Sequence, residues 1–176
     1  GEADLIKALQ LLPGVQAGSE GSTGMYVRGG GPDENLFLLD GIPVYNINHM
    51  AGFFSVFNPD AVKNVTLYKG NFPARFGGRL SSVIDVRMND GNTKEIHGNL
   101  SVGLISSKLN IEGTVFNENT TFNFSARRTY FDILAQPLIA YAAKAEQDDN
   151  YDGSLSAGYY FYDLNGKISH KFSDKD

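Results

Sequence analysis

The chain has 176 residues, a net charge of −5 and no cysteine. Disulfides, thiolate zinc sites and cysteine nucleophiles are therefore excluded, and nucleic acid is set aside as a partner. Apolar residues make up 41%, with 20 Gly, 12 Phe and 9 Tyr, which favours many strands and turns over a helical bundle. No run approaches the ~18 apolar residues of a membrane helix. The acidic opening Gly1-Glu2-Ala3-Asp4 does not read as a leader peptide, and both ends read as cut, so a piece of a longer chain is expected.

Residues 4–12 are expected to form a short amphipathic helix, with Leu5, Leu9 and Leu12 on one face and Asp4 as N-cap. Pro13-Gly14 ends it. Met25-Tyr26-Val27 and Leu36-Phe37-Leu38-Leu39 are short apolar runs that read as buried strands, joined by the glycine-dense 28–35 connector. Asp40-Gly41 and Pro43 punctuate the second run, and residues 45–50 form a polar, aromatic loop. Asn58-Pro59 reads as an N-cap with proline at the first helical position, predicting one helical turn. Residues 65–69 and 82–88 are further strands, separated by the glycine- and arginine-rich 71–79 turn.

Asn89-Asp90-Gly91-Asn92 breaks the chain, and the texture changes after it. Leu100, Val102 and Leu104 share one parity, whereas Leu109, Ile111 and Val115 share the other. One strand would put these two sets on opposite faces, so two strands with a turn near 105–108 are expected. The next strand alternates Phe122, Phe124 and Ala126 with Asn123, Ser125 and Arg127. An excursion near 133–156, with a helical turn at its apolar start, precedes a last strand over 157–172. Tyr159-Tyr160-Phe161-Tyr162 at one end of that strand resembles the aromatic girdle of a membrane barrel; a half-buried strand of a soluble sandwich is the alternative.

These pieces carry a family resemblance. In order along the chain stand Leu12-Pro13-Gly14-Val15, Val27-Arg28-Gly29, Leu38-Leu39-Asp40-Gly41-Ile42-Pro43-Val44, Phe57-Asn58-Pro59, Val62-Lys63-Asn64-Val65, Leu67-Tyr68-Lys69-Gly70, Ala74-Arg75-Phe76-Gly77-Gly78 and Val83-Ile84-Asp85-Val86. Together they resemble the plug domain of TonB-dependent outer-membrane receptors, and residues 97–172 resemble the first barrel strands. Lys69-Gly70-Asn71 stands where the family often has Arg-Gly-Pro, which keeps a charge and loses bidentate pairing. The resemblance implies an α+β plug with a small mixed sheet and short helices over 1–92. About four antiparallel strands of an incomplete transmembrane β-barrel, of roughly 22, follow over 93–176. It implies transport across the bacterial outer membrane, with a gate opened by a TonB-type coupling protein acting through a box absent from this chain. A glycan, peptide or metal chelate is the implied cargo. A lid lipoprotein is a possible partner through the polysaccharide-importing branch.

No catalytic constellation is visible, and no cofactor is expected. By the resemblance, Asp33, Glu34, Asn35, Tyr45, Asn46, Asn48 and His49 lie on substrate-facing loops. Arg28, Arg75 and Arg79 pair with the inner barrel wall, and Gly29, Asp40, Gly41, Lys69, Gly77 and Gly78 carry the structural motif. Gly29-Gly30-Gly31 lacks the Gly-Lys-Ser/Thr ending of a phosphate loop. The three histidines have no metal-ligand spacing. Asp148, Asn150 and Asp152, with Gly153, match the first half of a calcium loop, but Tyr159 occupies the twelfth position, where a bidentate glutamate belongs. A solvated acidic loop is the other reading. Two further functions stay open on the residues alone: a soluble α+β ligand-binding or enzymatic domain, and a plug-bearing surface sensor that signals rather than imports.

Overall fold

The computed structural model describes residues 4–18, 24–49, 52–145 and 159–173. The first element is α1 (Leu5–Gln10), capped by Asp4. It is shorter than expected, because the Pro13-Gly14 turn already draws in Leu11 and Leu12, which are exposed. Ile6 and Leu9 are the residues it buries. Next come β1 (Val15–Ala17) and β2 (Met25–Val27), an antiparallel pair. Arg28 and Gly29 both have positive φ, 49° and 86°, and Gly30 and Val27 exchange backbone hydrogen bonds around them. This two-residue turn follows the right-handed strand twist.

A mixed sheet forms the centre of this region. It is ordered β4 (Ile42–Pro43), β3 (Asn35–Leu39), β8 (Ser82–Met88), β7 (Val62–Tyr68). β3 and β8 are parallel, and the outer pairs are antiparallel. Asp40 and Gly41, with φ of 50° and 85°, turn β3 directly into β4, so the Asp-Gly break in the sequence is a tight hairpin turn. A two-stranded hairpin, β5 (Asn48–His49) with β6 (Phe54–Ser55), projects beyond the sheet. The predicted turn after Asn58 is a single 3-10 turn over Pro59–Ala61, with Asn58 Oδ1 accepting from Asp60 N. Ile6, Leu9, Val15, Met25, Val27, Phe37, Phe57, Ile84 and Val86 pack as one core between α1, the hairpins and the sheet.

The second half is a separate antiparallel sheet. It is ordered β12 (Tyr162–His170), β11 (Asn117–Thr129), β10 (Ser106–Val115), β9 (His97–Val102). The parity flip is resolved by a turn at 103–105, slightly earlier than expected, with Leu109 opposite Leu100. Between β11 and β12 runs α2 (Phe131–Ala145), 15 residues long with Pro137 inside it. The sequence predicts a helical turn at the apolar start of this excursion; the helix is longer and continues past Pro137, although proline in a helix interior removes a hydrogen bond. No helix among the described residues is long and apolar enough to cross a membrane, which says nothing of a β-barrel. The calcium-loop candidates Asp148, Asn150 and Asp152 lie outside the described residues.

Candidate functional site

The β9–β12 sheet has its polarity reversed. Register places Leu100, Leu109, Ala126 and Leu164 on one row of one face, and Gly98, Ile111, Phe124 and Gly166 on the next. That apolar face is solvent-open in this chain: Leu100 is 68% exposed and Ile168 76%. The opposite face carries Ser106, Asn110, Thr121, Asn123, Ser125, Arg127 and Thr129, all buried. A water-soluble sheet hides its apolar face and wets its polar one; here the polar face is covered along β10 and β11 and the apolar face is bare. This is the pattern of a strand wall that meets lipid outside and a polar lumen inside. Tyr160 and Tyr162 stand exposed at one end of the apolar face, and Phe116 and Phe172 at the other. Phe161, expected in the same girdle, instead turns inward and is buried.

What covers the polar face is the N-terminal region, and two groups of contacts hold it there. The first lies at the α2 end of the wall. Arg127, 2% exposed, donates from Nε (2.9 Å) and Nη2 (2.5 Å) to Asp163 Oδ2. Its Nη2 also donates to the Ser55 carbonyl at 2.5 Å. Asp163 Oδ1 meets His49 Nε2 at 2.6 Å. The His49 ring stacks on Phe161 with centroids 4.1 Å apart, and the Arg127 guanidinium lies 5.2 Å from the same ring. Phe54 packs between Phe161 and Phe131 of α2, at 5.5 and 6.0 Å. A buried guanidinium needs this density of acceptors, since removing one member of a buried ion pair typically costs about 3–5 kcal/mol.

The second group lies nearer the β10–β11 turn. Lys167 on β12 reaches Asp90 at 2.8 Å, Asp40 at 3.3 Å and the Met88 carbonyl at 3.2 Å. Lys63 on β7 meets Asp90 at 2.6 Å. The hydrogen bond from Lys167, and then that from Lys63, hold the Asp90 carboxyl below its ordinary range. Asp90 in turn raises Lys63. Beside them, Glu112 Oε2 accepts from Asn89 and Asn123 at 2.6 and 3.2 Å, and Thr121 Oγ1 donates to the Asp90 carbonyl. The Lys63, Lys167 and Asp90 side chains are partly solvated, so salt screens this end more than the buried end. Between the two groups, Asn123 Oδ1, Ser125 Oγ and Asn58 Nδ2 are buried without a partner among the described residues, a setting that ordered water satisfies.

A mixed-sheet body seated by polar contacts against an apolar-out wall has a counterpart among known families. Residues 1–83 match the model of the TonB-dependent Receptor Plug Domain. The outer membrane transporter YddB from Escherichia coli shares the fold, with a TM-score of 0.56 at 16% identity over 97% of this chain and 29% of that one. The ferric enterobactin receptor of Pseudomonas aeruginosa is 27% identical over 164 residues, covering 83% of this chain and 21% of that receptor. The crystal structure of the siderophore receptor PirA from Acinetobacter baumannii superposes with a TM-score of 0.61 at 18% identity, over 97% of this chain and 27% of that one. PirA from Pseudomonas aeruginosa gives 0.59 at 21% identity, over 97% and 28%. At these identities the superpositions establish the fold alone. The chain spans about a quarter of the length of these receptors.

The plug loops divide into two kinds. Asp33, Tyr45 and Asn46 are open to solvent, and Asp33 and Tyr45 line one cleft with Arg79. Asn35 also borders that cleft but is buried. Its Nδ2 donates to the Met25, Gly31 and Pro32 carbonyls, and its Oδ1 accepts from Ser82 Oγ. Asn35 thus holds the loop's shape. Glu34 does similar work, its Oε2 accepting from Gly31 N at 2.9 Å. Asn48 and His49 are half-buried, and His49 turns to the wall. The contacts of Arg28, Arg75 and Arg79 fall within the plug. Arg28 lies beside Gly70, Arg75 over the Phe76 ring at 4.7 Å, and Arg79 on the cleft. Arg127, Asp163, Lys167 and Asp90 make the ties to these four wall strands instead. Arg127 and Asp163 were missed because each is 36 residues from its partner; the one signal was a charge at an inward-parity position of an alternating strand. Of the motif residues, Lys69 donates to the Pro13 carbonyl at 2.6 Å, and Asp40 Oδ1 accepts from Met88 N. Gly78 has φ +84°, and Gly77 borders open space.

Proposed function

We propose that the chain is the gate and adjoining wall of an outer-membrane active transporter. The plug obstructs the barrel, and a TonB-type periplasmic protein pulls it to open a path. The observation that carries this reading is the covered polar face of the wall. The plug is seated there mainly through hydrogen bonds and ion pairs, with one aromatic cluster of Phe54, Phe131 and Phe161 at the α2 end, and the plug's own apolar core does not continue into the wall. Such polar contacts can be exchanged for water one at a time, as a reversible gate requires, whereas a fused hydrophobic core could not be parted so cheaply. The open loop residues Asp33, Tyr45 and Asn46 are the plug's contribution to docking cargo. Among glycan, peptide and metal chelate, a ferric chelate is the first class to test, supported by the names of the similar receptors.

These 176 residues hold no cysteine, so a pair of introduced thiols, in a receptor freed of any others, makes a direct test. In the full-length receptor, His49→Cys and Asp163→Cys are bridged by a short, cleavable bifunctional thiol reagent. The bridged receptor is expected to bind the ferric chelate and to import none, with import restored on cleavage. Undiminished import with the bridge intact would end the gating proposal.

A further inference from the structure

Asp4 uses its two carboxylate oxygens on two different elements. Oδ1 accepts from Ile6 N at 2.9 Å and Lys7 N at 3.3 Å, capping α1. Oδ2 accepts from Ser55 N at 2.7 Å, 51 residues away. An N-cap needs only one oxygen, and Ser, Thr or Asn supplies it as well. The second oxygen is surplus to capping. Ser55 passes the connection on, since its carbonyl takes the Arg127 Nη2 donor from the wall. Asp4, Ser55 and Arg127 are each less than a tenth exposed, so water does not compete for these bonds. The bonds are charge-assisted, about twice as strong as neutral ones.

We propose that Asp4, Ser55 and Arg127 form a force relay between the chain entering α1 and the barrel wall. The proposal rests on the reading that the plug is opened by a pull from its N-terminal side. α1 has six residues, too few to stand alone in water, so tension reaching it is borne by Asp4 and by the burial of Ile6 and Leu9. The Asp4 carboxylate ties the β5–β6 hairpin to α1 by a buried, charge-assisted bond, and Lys7 Nζ of α1 lies 5.7 Å from the Phe54 ring centroid of the same hairpin. When α1 moves, the hairpin goes with it and leaves the wall at Ser55–Arg127, at His49–Asp163 and at the His49 and Phe54 ring contacts with Phe161 and Phe131. Arg127 and Asp163 stay behind, both on the wall and still paired. The departure therefore strands no buried charge, and the hairpin can return to the same seat.

Two variants of the full-length receptor in bilayers separate this from simple helix capping. Asp4→Ser keeps an N-cap and is too short to reach Ser55 as well. Arg127→Lys keeps the wall charge and loses the forked geometry. In Asp4→Ser, hydrogen exchange at the Ser55 amide is expected to rise by about 10- to 100-fold, the loss of one bond to a charged group, with α1 amides unchanged. Arg127→Lys raises exchange across residues 48–55 and leaves α1 as it was. Under load applied ahead of Asp4, the natural receptor releases α1 and the hairpin in one step, and Asp4→Ser releases them in two. Unchanged Ser55 exchange, or a single step in Asp4→Ser, overturns the relay while leaving the gate intact. No plug step at all in the natural receptor overturns the gate reading, and the relay with it.

Discussion

Two neighbouring substitutions, Leu100→Arg and Ser101→Arg, test the wall most directly. Both residues lie on β9 and are exposed in this chain, so a soluble domain would tolerate either within about 0.5 kcal/mol. The wall reading separates them. Leu100 shares its row with Leu109, Ala126 and Leu164, on the apolar face; Ser101 pairs with Lys108 on the polar face. Strands rise about 3.4 Å per residue and tilt by about 40° in such barrels, so Tyr162 to His170 spans ~21 Å of membrane depth. The Gly166 row lies halfway, and the Leu100 row about 5 Å from it, near the midplane. Arginine there costs roughly 2–4 kcal/mol, which is roughly a 30- to 700-fold loss in folding equilibrium. Urea titration of the full-length receptor in lipid vesicles, followed by the heat-modifiable gel shift of the folded barrel, measures it. Leu100→Arg is expected to fall by that amount and Ser101→Arg by less than about 1 kcal/mol. Equal stabilities for the two variants would refute the assignment of faces.

The linker tie should respond to acid. The Asp90 carboxyl is lowered in the folded state, so its contribution is fully present above the unfolded value of about 3.9 and is lost as pH falls through the lower folded value. The protection of the 89–92 amides, relative to their intrinsic exchange at each pH, should therefore stay level from pH 7 to about 5 and fall only in stronger acid, and Lys167→Met should bring that fall to higher pH. A profile indifferent to Lys167→Met would count against the tie. Gly91 has φ +93°, and an added Cβ would collide with the Phe122 backbone. Gly91→Ala should thus loosen the linker by more than the roughly 1 kcal/mol of an ordinary glycine change. A melting temperature equal to that of the natural protein would contradict this.

Much of the fold lay open in the sequence because it is dictated over short range. Asp4 as a cap, the Asp40-Gly41 break, Asn58-Pro59 and the parity flip after Leu104 are each set by residues within a few positions of one another. α2 was only half visible, since Pro137 interrupts the local helical signal and contacts such as Phe131 on Phe54 supply support that no local pattern displays. The site was legible only as a region. Asn35 read as a loop residue open to cargo, yet four hydrogen-bonding partners bury it. His49 read as substrate-facing, yet its ring meets Asp163, 114 residues away.

Alternation along β9–β12 by itself determined that this chain makes two-faced strands, because side chains of an extended backbone must point to opposite sides in turn. It also determined which residues share a face. Only the tertiary structure decided which face is covered. The plug body supplies hydrogen-bond partners that Arg127 and Lys167 require, and so the polar side turns inward. Burial of a charge depends on acceptors brought from distant parts of the chain, and those meet only when the two halves pack together.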